Sequence, residues 1–253
     1  MSSTSLDLSQ SIVRILSPGG ATVGTGFIVY RDGLIATCAH GVQACGAGPG
    51  DTVRLAFHAT GEERGATVER DWWRDPGAED VAILRLQGPL PDGVEPLPLG
   101  SSLHSRGHDF FSWGYRLAYV FPGGLAAEGK IQARTLYRNQ PALQLLSNQI
   151  DRGMSGAPLW DVQGRRVVGM INTFWETTRH QDAWLALAIP TETLRAVCPL
   201  LQLSDLCPYR GLEPFNEADA EFFFGRERAV EHMLERPRQE TRLLAAMGAL
   251  GRR

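Results

Sequence analysis

Short runs rich in apolar and β-branched residues follow one another from Ser11 to Pro190: "SIVRIL", "TGFIVY", "LIATCA", "TVRLAF", "VAILRL", "FFSWGY", "KIQART", "ALQLL", "RVVGMINTF" and "WLALAI". Glycine, proline and Asn/Asp turns break them apart, and no long stretch of 3.6-residue period intervenes. Strands at this spacing, without crossover helices, predict an all-β body of antiparallel sandwich or barrel type. "TETLRAVCPLLQL" then places Leu194, Val197, Leu200 and Leu201 at helical spacing behind Thr191. This predicts a helix over 191–203 that closes the body, with Thr191 as its cap.

The pattern changes after that helix. A proline-bearing linker leads into acidic sequence of helical character that carries three successive phenylalanines, Phe222 to Phe224. The expected boundary lies near Ser204 to Cys207, giving a body over 1–204 and a linker and tail over 205–253. Composition agrees with a globular chain, since 253 residues at 43% hydrophobic content are enough for one large domain with an appendage. The formal charge of −3 and the lack of a basic cluster leave no electrostatic footprint for nucleic acid. "MSSTSLDLSQSIVRILSPGG" has no basic start followed by a sustained apolar run, and no later segment reaches the roughly 18 apolar residues of a membrane span. A cytoplasmic location is therefore expected, without membrane contact, and Cys38, Cys45, Cys198 and Cys207 are expected as free thiols.

Chemistry concentrates in three places. "GMSGAP", residues 153 to 158, fences Ser155 with glycines. Such a serine is either a plain turn or a nucleophile, and a nucleophile needs a base oriented by an acid. His40 follows the strand "GLIATCA" directly and precedes the small-residue stretch "GVQACGAGPG", a strand end opening into a loop that can expose an imidazole. Asp80 begins the strand of "EDVAILRL", where its carboxylate can accept the imidazole N–H. Taken alone, His40 reads as a half-buried histidine and Asp80 as a strand cap. A third reading of the first region, a metal cluster of Cys38, His40 and Cys45, does not match paired zinc spacings and would consume the base.

Histidine, aspartate and serine in this order, within "TCAHG", "DVAILRL" and "GMSGAPLWD", resemble the trypsin-like serine protease family over roughly residues 11–200. "RGMSGAPL", "VVGMINTFW" and "LALAIP" are most similar to its bacterial and intracellular heat-shock type. The resemblance implies two packed six-stranded antiparallel β-barrels of chymotrypsin-like fold and a serine endopeptidase acting on protein or peptide without cofactor or metal. Ser155 is then the nucleophile, His40 the base and Asp80 the acid that fixes its tautomer, with the backbone amides of Gly153 and Ser155 as oxyanion hole. A silent peptide-binding module of the same fold is the rival reading.

Family position also implies a substrate-binding set. Gln149 and Ile150 correspond to the base of the specificity pocket, and Asn172, Thr173 and Phe174 to its wall and to an edge that pairs with extended peptide. A neutral amide offers no carboxylate to a basic side chain, so small or medium uncharged residues are the expected preference. Met154 stands where secreted relatives carry the aspartate that pairs with a new N-terminus, so no activation by trimming ahead of Ile12 is expected. Finally, "PYRGLEPF" and "ADAEFFFGRE" resemble the entry segment of STAND-type signalling NTPases, in which an N-terminal effector is joined to an NTPase and a sensor. Gly248 and Gly251 appear in "TRLLAAMGALGRR", but no GxxxxGK[ST] occurs in the 253 residues, so nucleotide binding by this chain is not expected.

Overall fold

Twelve strands form two closed six-stranded barrels in the computed structural model, which describes residues 8–173 and 185–203. The first contains β1 (Ile12–Leu16), β2 (Thr22–Tyr30), β3 (Leu34–Thr37), β4 (Thr52–Phe57), β5 (Glu63–Arg74) and β6 (Val81–Leu86) in the order β1-β2-β3-β6-β5-β4. The second contains β7 (Asp109–Gly114), β8 (Leu125–Tyr137), β9 (Gln140–Leu146), β10 (Pro158–Asp161), β11 (Arg166–Asn172) and β12 (Leu185–Pro190). Its order, β10-β11-β12-β9-β8-β7, is the same path around the ring as the first. Every paired strand is antiparallel. The expected pair of barrels is present, and the described residues all fall in one unit, 1–207.

Period-two alternation explains how the barrels meet. On β6, Ala82 and Leu84 point into the first barrel with Ile28, Ile35 and Phe57, while Val81 and Ile83 join a second layer with Phe27, Val29 and Leu34. That second layer also holds Met170, Leu187 and Ile189 from the other barrel. Ala186 and Ala188 turn back inward onto Phe110, Leu143 and Leu159. Strands buried on both faces carry near-continuous apolar runs, which is why "VAILRL" and "LALAIP" lack polar alternation. Three apolar layers result: two barrel cores and the seam between them.

Two strands escape the sequence pattern. "ERGATVERDWWR" forms β5, whose mixed polar residues follow a half-exposed face and a register break between Val68 and Trp73. β10 has four residues and directly follows the glycine turn. The single expected helix is corrected to two, α2 (Thr191–Val197) and α3 (Leu200–Leu203), with α1 (Ala39–Ala44) lying earlier in the chain. Pro199 cannot donate and forces Cys198 to extended geometry, φ −122° and ψ 97°, so the helix stops there. Thr191 is not the cap either. Pro190 holds that position, and the Thr191 hydroxyl donates to the Gly100 carbonyl at 2.5 Å. Among the described residues no helix is long and apolar enough to cross a membrane.

Glu192, in the first turn of α2, anchors that helix to the barrel connection. Its carboxylate accepts the Ser101 hydroxyl at 2.8 Å, the Ser102 amide at 2.8 Å and the Ser102 hydroxyl at 2.7 Å. Burial, the largest single influence, would raise its pKa, but these donors together hold it below the ordinary 4.5. A depressed carboxylate stabilises the fold above its unfolded pKa, and that stabilisation disappears as pH falls through the folded value. Glu192→Gln is accordingly expected to lose about 1.5–3 kcal/mol near neutral pH. Urea unfolding at neutral and acidic pH checks this, because the gap to the native sequence should narrow below the ordinary carboxylate range.

Candidate active site

Strand β3 ends at Thr37, and Cys38, at φ −79° and ψ 139°, turns the chain into α1. His40 therefore sits in the first turn of a six-residue helix and not on the expected loop. That helix has no side-chain cap of its own. Asp80, just ahead of the neighbouring strand β6, replaces it: its carbonyl accepts the Ala39 N–H at 3.3 Å and its Oδ1 the His40 N–H at 2.9 Å. Two orphan amides of the first turn are satisfied this way. The turn before β6 delivers Asp80 at φ 56°, a left-handed conformation that aspartate tolerates better than most residues.

The second oxygen of Asp80 carries the chemistry. His40 Nδ1 lies 2.6 Å from Oδ2, and Asn172 Nδ2 donates to the same oxygen at 2.8 Å. Asp80 is fully buried, yet three donors compensate the charge. A carboxylate can only accept, so the neutral imidazole carries its proton on Nδ1 and presents the Nε2 lone pair. His40 keeps 21% side-chain exposure, enough to face a substrate.

Ser155 lies on the elbow between β9 and β10, almost fully buried. Gly153 and Gly156 flank it at φ 95° and 87°, where an L side chain is strained. A methyl on Gly156 would also overlap the Thr25 carbonyl oxygen, and one on Gly153 the Tyr115 carbonyl oxygen. Gly156→Ala is expected to destabilise the protein by about 2–5 kcal/mol through strain and overlap combined, measurable by denaturant unfolding. The Met154 and Gly156 amides are committed to Asp151 O at 3.1 Å and Ile171 O at 2.9 Å. Among the described residues the Gly153 and Ser155 amides have no acceptor. Ser155 Oγ stands 2.5 Å from Thr173 Oγ1 and accepts the Thr173 N–H at 3.3 Å.

The end of β11 joins these parts. Successive residues Ile171, Asn172 and Thr173 touch Cys38, Asp80 and Ser155 in turn. Asn172 was expected in the pocket wall. Its side chain is completely buried with its amide on Asp80. Gln149 turns its Oε1 to the Glu128 N–H at 3.0 Å, and Ile150 packs against the core beside Met154. Phe174 lies outside the described residues, as do Cys207 and Phe222 to Phe224. Met154 is buried with Ala127, Ala157 and Ile171, while Ile12 is paired within β1 to Phe27. Thr25 and Asn172 have no sequence signal as supports, since a buried threonine and a strand-end asparagine carry no distinguishing pattern in one sequence.

Cys38, His40 and Asp80 bring ligand atoms within 4.8 Å of one another. They do not suit a metal ion. The Cys38 thiol donates to Ile171 O at 3.5 Å, and burial pushes its pKa well above 9.0, favouring the protonated form over a thiolate ligand. Cys45 is turned away, donating to Leu16 O and Gly41 O at 3.4 Å, and both thiols are free.

A trypsin-like fold with a buried aspartate on a histidine and a serine on a glycine elbow defines a peptidase class, and sequence comparison agrees. The model of the trypsin-like peptidase domain matches residues 24–170, and this chain belongs to that family. Mitochondrial serine protease HTRA2 of Bos taurus is 32% identical over 178 residues, covering 68% of this chain and 34% of that protein. The chain thus spans about a third of the length of the curated relative it matches. A second model, novel STAND NTPase 1, matches residues 208–252.

Proposed function

We propose that this chain is a serine endopeptidase that cleaves protein or peptide substrates through Ser155, His40 and Asp80. The observation that carries the reading is the 2.6 Å contact of His40 Nδ1 with the buried Asp80 carboxylate, joined through successive residues Asn172 and Thr173 to a serine whose own amide and that of Gly153 have no acceptor among the described residues. Nε2 of His40 takes the Ser155 proton as Oγ attacks the scissile carbonyl, and Asp80 stabilises the imidazolium that forms. The Gly153 and Ser155 amides receive the oxyanion. His40 then returns the proton to the leaving amine, and water, activated the same way, releases the acyl group. Thr173 must give up its hydroxyl contact with Oγ for that attack, which makes the observed hydrogen bond a resting arrangement.

Substrate selection is assigned to Gln149, Ile150, Thr173 and Phe174, with preference for small or medium uncharged side chains. The NTPase match immediately after the peptidase domain supports an effector role, in which NTPase and sensor regions of an intact relative gate proteolysis. A fluorophosphonate probe tests the central claim. The expected result is a single adduct on the peptide containing Ser155, located by mass spectrometry. Folded protein that takes no label would sink it.

A further inference from the structure

Thr25, on β2 of the first barrel, grips the nucleophile elbow of the second from both sides of Ser155. Its N–H donates to Ser155 O at 2.9 Å, and its hydroxyl donates to Gly153 O at 2.8 Å. The hydroxyl in turn accepts the Tyr115 N–H at 3.2 Å, and the Thr25 carbonyl accepts the Thr37 hydroxyl at 2.7 Å. Every polar atom of Thr25 is therefore engaged, and the residue is fully buried. We propose that Thr25 is a positioning residue whose hydroxyl sets the oxyanion-binding amides of Gly153 and Ser155.

The Gly153 carbonyl and Met154 amide share one plane, fixed at its two ends by Thr25 Oγ1 and Asp151 O. The Ser155 carbonyl and Gly156 amide share another, fixed by the Thr25 N–H and Ile171 O. The intervening plane carries the Ser155 amide, and being held between two fixed neighbours it has little freedom left. The Gly153 amide belongs to the preceding plane and is joined to the fixed set through glycine at φ 95°. Glycine tolerates rotation there, so the hydroxyl on its carbonyl is what keeps that amide aimed. Without it, a buried carbonyl loses its donor and the plane is held at one end only, by the Met154 N–H on Asp151 O.

This role rests on the protease reading, and one set of variants separates the two. Thr25→Val keeps the shape of the side chain and the backbone N–H but removes the hydroxyl, whereas Thr25→Ser keeps the hydroxyl. In the full 253-residue chain, Thr25→Val is expected to lower the phosphonylation rate of a fluorophosphonate probe, and kcat on a peptide substrate, about 10- to 100-fold, less than full loss of one oxyanion donor. KM should stay within about twofold, the signature of an interaction made in the transition state. The low-field proton resonance of His40 Nδ1–H should be retained, which shows the dyad intact. Thr25→Ser should restore the rate to within about threefold, because it restores the Gly153 bond. A folded Thr25→Val protein reacting at the unmodified rate would overturn the proposal, as would a serine variant as slow as the valine. If Thr25→Val does not fold, Thr25→Cys replaces it, since a weak thiol donor should be slow where serine is fast; equal rates overturn the role. Native protein that takes no label overturns both readings.

Discussion

Ser155→Ala protein is expected to fold normally and to lose roughly six orders of magnitude in kcat, the scale on which another serine protease responds to loss of its nucleophile. The fold should survive because among the described residues Oγ is hydrogen-bonded only to Thr173, while the backbone of residue 155 keeps its bond from Thr25. Residual turnover would come from the oxyanion amides and binding alone. Single-turnover digestion of a peptide library, native and variant side by side, provides the measurement and reads specificity from the same digest. Equal digestion by the two proteins would remove Ser155 from the chemistry.

Asp80→Asn is expected to be nearly as severe, about four orders of magnitude in kcat. Asp80 accepts three donors, from His40 N–H, His40 Nδ1 and Asn172 Nδ2. An amide has one oxygen and one NH2 group and cannot accept at both ends. If the NH2 faces His40 Nδ1, the imidazole proton moves to Nε2 and the base is lost. In the opposite orientation the NH2 confronts the His40 N–H, and the first turn of α1 keeps only the Asp80 carbonyl on the Ala39 N–H. Proton spectra should therefore lose the low-field His40 signal together with activity. Near-normal turnover in this variant would refute Asp80 as the orienting acid.

Apolar runs made most strands legible, since β6 and β12 are buried on both faces and can hold little else. β5 was not legible because only Ala66 and Val68 of its twelve residues are buried and its pairing is interrupted. The shared strand path of the two barrels was equally hidden: topology depends on where turns lead the chain, not on which residues fill the strands. At the site, ordered motifs gave His40, Asp80 and Ser155 because each has a chemistry visible in its residue type. Asn172 and Thr25 act through geometry, through an amide on a distant carboxylate and a hydroxyl on a distant carbonyl. Such partners, 92 and 128 positions apart in the chain, leave no local mark.

The close of β11 makes the site sensitive to reading-frame-preserving length changes in one short interval. Side chains alternate across a strand, so Asn172 reaches Asp80 while its neighbour Thr173 reaches Ser155. The pairing with β10 already slips between Leu159 and Trp160, opposite Gly169 and Val167, and that slip sets which residue takes which side. Removing one codon from the turn at residues 162–165 leaves this phase untouched, because the pairing beyond it can re-form. Removing one codon between Gly169 and Asn172 shifts the strand end by one residue, putting the Thr173 hydroxyl where the Asn172 amide met Asp80 and taking that hydroxyl away from Ser155. A deletion scan would thus find tolerance and total failure within eight residues of each other, with no change in composition to tell them apart.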